Sequence, residues 1–334
     1  MQANRVVIHL DRIRSNARAL AARTDAPLCA VVKADGYGHG GAEVARALSG
    51  TASSFAVSLV EEGARLRHAG IGEDILVLTP ALSEEEVLRG AWHRLIFTVG
   101  DGADYALLRR VCLREGLCVR CHLKLNTGMN RYGFSPAAFS RFLSGKFSDN
   151  VFVEGVYSHF YAPADPARTR AQFELFGRMS VRAERTFGKL CRHIAATGGI
   201  LADARYGLDL VRPGIGLYGY LPDGFSLPSL SPGMEVYAQI VCARRAQGGG
   251  FGYRVRQGES RIVALRAGYA DGFFRAGSAG ACCMDATLLC GTGRKYGEVC
   301  LLSDADAAAR AASTISYEVL AAVGRRAERV YADG

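Results

Sequence analysis

Lys33 stands where a lysine is poor packing material. It closes the apolar run Leu28–Val32, whose length and β-branched content fit a buried parallel strand, and it opens into Gly36, Gly38 and Gly40. An amine at a strand's end becomes a nucleophile once its surroundings lower its pKa. The glycines let backbone N–H groups approach an anion, and Tyr37 brings a hydroxyl to the same turn. Four further polar side chains, Lys124, His159, Thr197 and Arg212, fall at or just beyond the ends of other predicted strands. Such a set suits amine chemistry beside a bound anion.

The elements that must position these residues follow a strand–helix rhythm. Strand-like runs occur near Leu28–Val32, Ser54–Leu59, Ile75–Leu78, Leu95–Val99, Val119–Leu125, Val151–Ser158, His193–Ala196 and Leu208–Val211. Helical patterns fill most gaps, among them Glu61–Ala69, Ala103–Glu115, Pro136–Leu143 and Arg168–Phe187, and a helix Asp11–Arg23 with Asp11 as its N-cap precedes them. Eight alternations predict an α/β fold, a (β/α)8 TIM barrel, with the unit after His193–Ala196 the weakest. Its five polar residues then meet at the rim where barrel enzymes build their sites. From about Pro222 the texture changes. Asp223–Met234 reads as a linker, and the runs Val236–Val241, Ile262–Leu265, Ala286–Leu289 and Val299–Leu302 lack regular helical gaps. The expected division is residues 1–222 for the barrel and 223–334 for a smaller, mainly β domain with one helix near Ser316–Val323.

Composition narrows the function classes. The chain has 334 residues, 49% hydrophobic and 22% charged, as in an ordinary globular protein able to bury a core. Its net charge of +9 is spread along the chain, with no basic stripe interleaved with aromatics, which argues against nucleic acid as partner. The first twenty residues carry charges throughout, no apolar run has bilayer-spanning length, and the expected location is cytoplasmic with no membrane partner. Ten cysteines are scattered, several in strand-like contexts where a thiol acts as a small hydrophobe. Cys118, Cys121 and His122 match a c-type haem attachment signature, but the segment alternates as a strand and nothing signals export. The thiols are expected to be structural and reduced, with no metal.

The stretches AVVKADGYGHG, KLNTGMNRYGF, VYSHFYAPADP, LVRPGIGLYG, GYADGFFR and CCMDATL together resemble the alanine racemase family, fold-type III enzymes that use pyridoxal 5′-phosphate (PLP), in the same order and with similar spacing. The resemblance implies that Lys33 forms the covalent link to PLP and serves as the base on one face of the substrate. Tyr269 is then the base on the other face, assisted by His159. A tyrosine needs such help because its unperturbed pKa is about 10. Arg212 would hydrogen-bond the pyridine nitrogen, oriented by His193; a permanently charged partner makes the ring a weaker electron sink than an aspartate would. Tyr37, Thr197, Gly214 and Ile215 would bind phosphate. Arg131 and the Met284 backbone would receive the substrate carboxylate, and Lys124 matches a lysine often carbamylated in the family. Tyr269 and Met284 would come from the other subunit of a head-to-tail homodimer, and the product would be D-alanine for cell-wall peptidoglycan.

Three positions depart from the family's pattern. Asn126 stands where aspartate is usual and Ala196 where asparagine is common. By spacing, a phosphate-contacting tyrosine of some members falls near Arg325, which brings serine into question as a substrate, since an added hydroxyl is only weakly rejected by an apolar pocket. Some serine racemases are soluble domains fused to membrane segments, so whether the chain is whole or excised stays open. A PLP-carrier protein would lack the second domain, and a fold-type III decarboxylase would carry a cysteine-based acid motif there.

Overall fold

The computed structural model describes residues 4–255, 259–273 and 281–333. After an opening strand β1 (Asn4–His9), seven strands pair in parallel and in chain order: β2 (Cys29–Val31), β3 (Ser54–Val57), β4 (Asp74–Val77), β5 (Ile96–Val99), β6 (Val119–Lys124), β7 (Val151–Tyr157) and β8 (Cys191–His193). Parallel bridges from Val211 to Leu28 and from Arg212 to Ala196 close the ring. The eighth barrel strand is therefore reduced to a bridging stretch. Pro213 has no N–H to extend the ladder and contributes only its carbonyl, 3.0 Å from the Val31 nitrogen. The weak unit after β8 is a six-residue helix, Thr197–Ala202, followed by one 3-10 turn at Ala204–Tyr206.

The remaining helices follow the apolar spacing, with local caps fixing their starts. Gly102–Glu115 begins at Asp101, whose carboxylate accepts from the Ala103 and Asp104 nitrogens, and ends at Gly116 in the left-handed region. The first helix, Leu10–Ala21, starts after His9, and Asp11 lies in its first turn rather than at the cap. Acidic side chains there still favour the positive end of the helix dipole. Helices Glu84–Trp92 and Ala305–Ala312, absent from the sequence expectation, are both capped by a residue that turn chemistry favours, Ser83 and Asp304.

The second sheet is built on a 14-residue strand, β9 (Met234–Gln247). After a hairpin of β10 (Gly250–Phe251) and β11 (Arg254–Val255), the strands β12 (Glu259–Leu265), β13 (Ala281–Cys282), β14 (Thr287–Cys290), β15 (Glu298–Leu302) and β16 (Glu328–Ala332) complete the chain. The order is β13-β14-β12-β9-β1-β16, and β15 also pairs with β9. Thus β1 leaves the barrel segment expected over 1–222 and joins the C-terminal sheet, antiparallel to β9 and parallel to β16. Its apolar run explains this: Val6, Val7 and Ile8 are all buried, and full burial of such side chains stabilises by about 1.5–3 kcal/mol each. Among the described residues no helix is long and apolar enough to cross a membrane.

Candidate active site

Lys33 follows β2 and begins a turn of unusual hand. Ala34, Asp35, Gly36 and Tyr37 all have φ between 52° and 64°. Three of these are not glycine, so the turn carries strain that its surroundings must hold. The Glu62 carboxylate accepts from the Ala34 and Ser58 nitrogens at 2.7 Å, and Asp35 accepts from the Gly41 nitrogen at 2.8 Å. The buried His39 ring places Nδ1 3.1 Å from the Gly36 carbonyl and 3.0 Å from that of Tyr37. Burial holds this imidazole down at about 4, so near neutral pH it is an uncharged donor from Nδ1 to the turn. Arg329 of β16 adds an ion pair to Asp35 at 2.6 Å.

The turn opens on a cavity of about 730 Å³ at the C-terminal ends of the barrel strands. Lys33, Tyr37, Lys124, Arg131, His159, Thr197, Arg212, Gly214 and Ile215 all line it. Burial, and then the nearby Arg131, lowers the Lys33 amine below the ordinary lysine range, which favours the neutral nucleophile. Burial, and then the Lys124, Arg212, Arg131 and Lys33 side chains around it, lowers the His159 imidazole well below the ordinary histidine range.

Arg212 is fixed from behind. One guanidinium nitrogen donates to His193 Nδ1, and the other lies 2.6 Å from the Ser158 carbonyl. Because arginine only donates, His193 must carry its proton on Nε2, which then donates to His122 Nδ1 at 2.8 Å. The Tyr157 ring underlies this arrangement. His193 stacks on it with centroids 4.9 Å apart, Lys124 Nζ lies 4.5 Å from its centroid and Arg212 Cζ 5.1 Å. Its hydroxyl bonds Thr98 Oγ1 at 2.7 Å. Lys124 is buried, and desolvation followed by Arg212 and Arg131 drives its amine well below the usual range.

An anion cradle lies just beyond the Ala196–Arg212 bridge. The first N–H groups of the Thr197 helix have no partner within that helix, and the Thr197 hydroxyl accepts from the Gly214 and Gly216 nitrogens at 3.2 and 3.3 Å. A Cβ at Gly214 would lie 2.7 Å from Tyr37 Oη, so only glycine lets the backbone approach there. Amine, guanidinium, hydroxyls and backbone donors around one cavity fit the aldehyde, ring nitrogen and phosphate of PLP.

Not every expected residue reaches this cavity. His193 lies behind Arg212. Tyr269 sits in a 3-10 turn of the second domain, 39% exposed, and Met284 is 61% exposed; neither lines the cavity of its own chain. The two are neighbours, since the Tyr269 nitrogen donates to the Cys283 carbonyl at 2.9 Å and the Ala270 nitrogen to that of Met284 at 3.0 Å. Phe274 and Arg275 of the same motif lie outside the described residues. Arg325 is a correction. It is exposed and away from the cavity, whereas Tyr317, eight positions earlier, lines the wall with its ring centroid 6.1 Å from that of Tyr37. Spacing points to Arg325 in the turn after the helix Ser316–Ala322, whereas the first turn of that helix puts Tyr317 on the cavity. Asn126 accepts from the Gly128 and Asn130 nitrogens at 3.1 Å in the loop that carries Arg131, contacts its side-chain oxygen makes without a charge. Sequence reading passed over Tyr157, Thr98, His39 and the bond made by His122; alternation along β6 and β7 was the available signal for inward-facing polar residues.

Comparison with known proteins agrees along the whole chain. Residues 8–222 match the family described as "Alanine racemase, N-terminal domain" and 234–331 its "C-terminal domain". Similar proteins include the alanine racemase of Thermobifida fusca (36% identity over 97% of this chain and 96% of that one) and that of Treponema pallidum (32% over 99% and 100%). The crystal structure of alanine racemase from D-cycloserine-producing Streptomyces lavendulae superposes with a TM-score of 0.91 at 29% identity, covering 100% of this chain and 98% of that one. A Bartonella henselae alanine racemase with covalently bound pyridoxal phosphate shares the fold, with a TM-score of 0.89 at 22% identity over 99% and 100%. With both domains matched in order and at full length, the chain belongs to the alanine racemase family of PLP-dependent isomerases.

Proposed function

We propose that the protein interconverts L- and D-alanine by a two-base mechanism, in a homodimer whose two active sites each draw residues from both chains. The observation that carries this reading is the meeting of Lys33, Arg212 and the Thr197–Gly214 cradle in one cavity, together with a second-domain tyrosine exposed for use elsewhere. PLP, when bound, supplies an electron sink that weakens the substrate Cα–H bond.

The chain's own residues supply the rest. Lys33 would hold the cofactor through Nζ and, as a free amine, would take or return a proton at Nζ on one face. Tyr37, Thr197, Gly214 and Ile215 bind the phosphate. Arg212, held by His193, would donate to the ring nitrogen, and its permanent charge would disfavour a proton there. Tyr269 of the second copy holds the proton at Oη on the other face, with neutral His159 of this copy as its hydrogen-bond partner. Opposed bases are required because inversion at carbon removes a proton from one side and delivers one to the other. Arg131 and the Met284 backbone N–H of the second copy receive the carboxylate. Lys124 carries a carbamate: its neutral amine adds to carbon dioxide and loses a proton, and the resulting anion faces the Arg131 and Arg212 cations. The product serves as D-alanine for peptidoglycan, and the site of action is the cytoplasm.

The test is incubation of PLP-saturated protein with L-alanine and, separately, L-serine, followed by chiral chromatography. Fast D-alanine and slow D-serine are expected. Equal or faster D-serine would move the assignment to serine racemisation, and no D-product from either would remove it. Tyr317 in the cavity wall, with Arg325 outside it, favours alanine.

A further inference from the structure

Two loops of the second domain carry the residues proposed to act on the other copy's substrate, and a single guanidinium joins them. We infer that Arg326 is a positioning residue that sets the Tyr269 hydroxyl and the Met284 backbone at a fixed spacing, an inference that rests on the two-base reading. Its Nε and one terminal nitrogen lie 3.1 and 2.9 Å from the two oxygens of Asp271, and the other terminal nitrogen lies 2.9 Å from Asp285 Oδ1. Asp271 ends the 3-10 turn begun by Tyr269, and Asp285 follows Met284 directly.

The two arms differ in kind. The Asp271 carboxylate is buried at 3% side-chain exposure and also accepts from the Gly268 nitrogen at 2.9 Å, so it fixes the turn from both ends. Bidentate pairing of this sort adds direction as well as attraction. The turn is packed without slack, since a Cβ at Gly268 would lie 2.3 Å from the Cys283 carbonyl oxygen. The Asp285 carboxylate is 66% exposed, and water screens its pair with Arg326. What it adds is alignment of the Met284 loop. Loss of the first arm should therefore act on proton transfer at Tyr269, and loss of the second on capture of the carboxylate.

The test compares Arg326→Gln, Arg326→Lys, Asp285→Asn and Tyr269→Phe as PLP-loaded enzymes. Readouts are solvent exchange of the α-proton of L- and D-alanine, and KM against kcat. Tyr269→Phe is the reference for the two-base reading and should slow exchange from the L-enantiomer selectively. Arg326→Gln should show the same selectivity at a smaller size, about 10- to 100-fold, because a displacement near 1 Å costs on that order. Arg326→Lys, which keeps the charge and loses the fork, should fall between Gln and wild type. Asp285→Asn should raise KM with kcat nearly kept. If Tyr269→Phe is selective while Arg326→Gln and Arg326→Lys slow both enantiomers equally or not at all, Arg326 is merely structural. If Tyr269→Phe itself lacks selectivity, the two-base reading fails and the inference falls with it.

Discussion

The barrel rim and the Tyr269–Met284 platform solve the same problem, holding chemistry in place, by different means. At the rim, Lys124, His193 and Arg212 are buried, each against a ring, a carbonyl or another nitrogen, so desolvation shifts their proton affinities. On the platform, Tyr269 and Met284 are exposed and their loops are tied by backbone bonds and by Arg326. An enclosed site can tune its groups before substrate arrives; an exposed one acquires its environment only when something covers it. The proposed homodimer joins a finished half to an unfinished half, twice.

Substitutions that attack the two halves separately sharpen this contrast. The largest effect is expected from Lys33→Ala, which removes both the covalent anchor and one base; racemisation should fall by at least ~10³-fold in either direction, read by chiral chromatography at saturating PLP. Tyr269→Phe should cost roughly 10²- to 10⁴-fold, and only for proton exchange from L-alanine. Equal loss for both enantiomers would mean that the platform does not supply a face-specific base. Intact mass of the native protein should exceed the sequence mass by one carbamate at Lys124, and the increment should vanish in Lys124→Ala. A bare amine in the native protein would leave the rim with its cations uncompensated.

The smallest effect concerns pH. His39 is held at about 4 when folded and returns to about 6.5 when the chain unfolds. The unfolded state thus binds the extra proton first. Stability from this group is complete above about 6.5 and is lost as pH falls toward 4, by at most roughly 3 kcal/mol. Urea unfolding across that window should be less steep for His39→Asn than for wild type. The rim should also be less well held in that variant, with weaker PLP retention, because the turn behind Lys33 loses its imidazole.

Much of this contrast was legible in the chain itself. Short continuous apolar runs between helical patterns point to the barrel strands, and polar residues at their ends point to the rim. The bridging stretch at Val211–Arg212 was found from Leu208–Val211 even though Pro213 leaves it too short for a full strand. What escaped were features set by tertiary contact. β1 is missed because the first twenty residues read as charged throughout, and only pairing with β9 shows Val6, Val7 and Ile8 to be buried. His39 reads as part of a glycine turn until its ring is found beneath Gly36 and Tyr37. Tyr317 and Arg325 differ by eight positions, and only the packing of the Ser316–Ala322 helix against the rim decides between them.

The most direct test of a shared site is to mix two inactive variants. Lys33→Ala and Tyr269→Phe protein, unfolded together and refolded with PLP, should form hybrid dimers in which one site has both substitutions and the other has neither. Racemase activity should return to roughly a quarter of wild type, since half the dimers are hybrid and each has one intact site. Activity that stays at the level of the separately refolded variants would mean that Lys33 and Tyr269 act within one chain, or that one of them does not act at all.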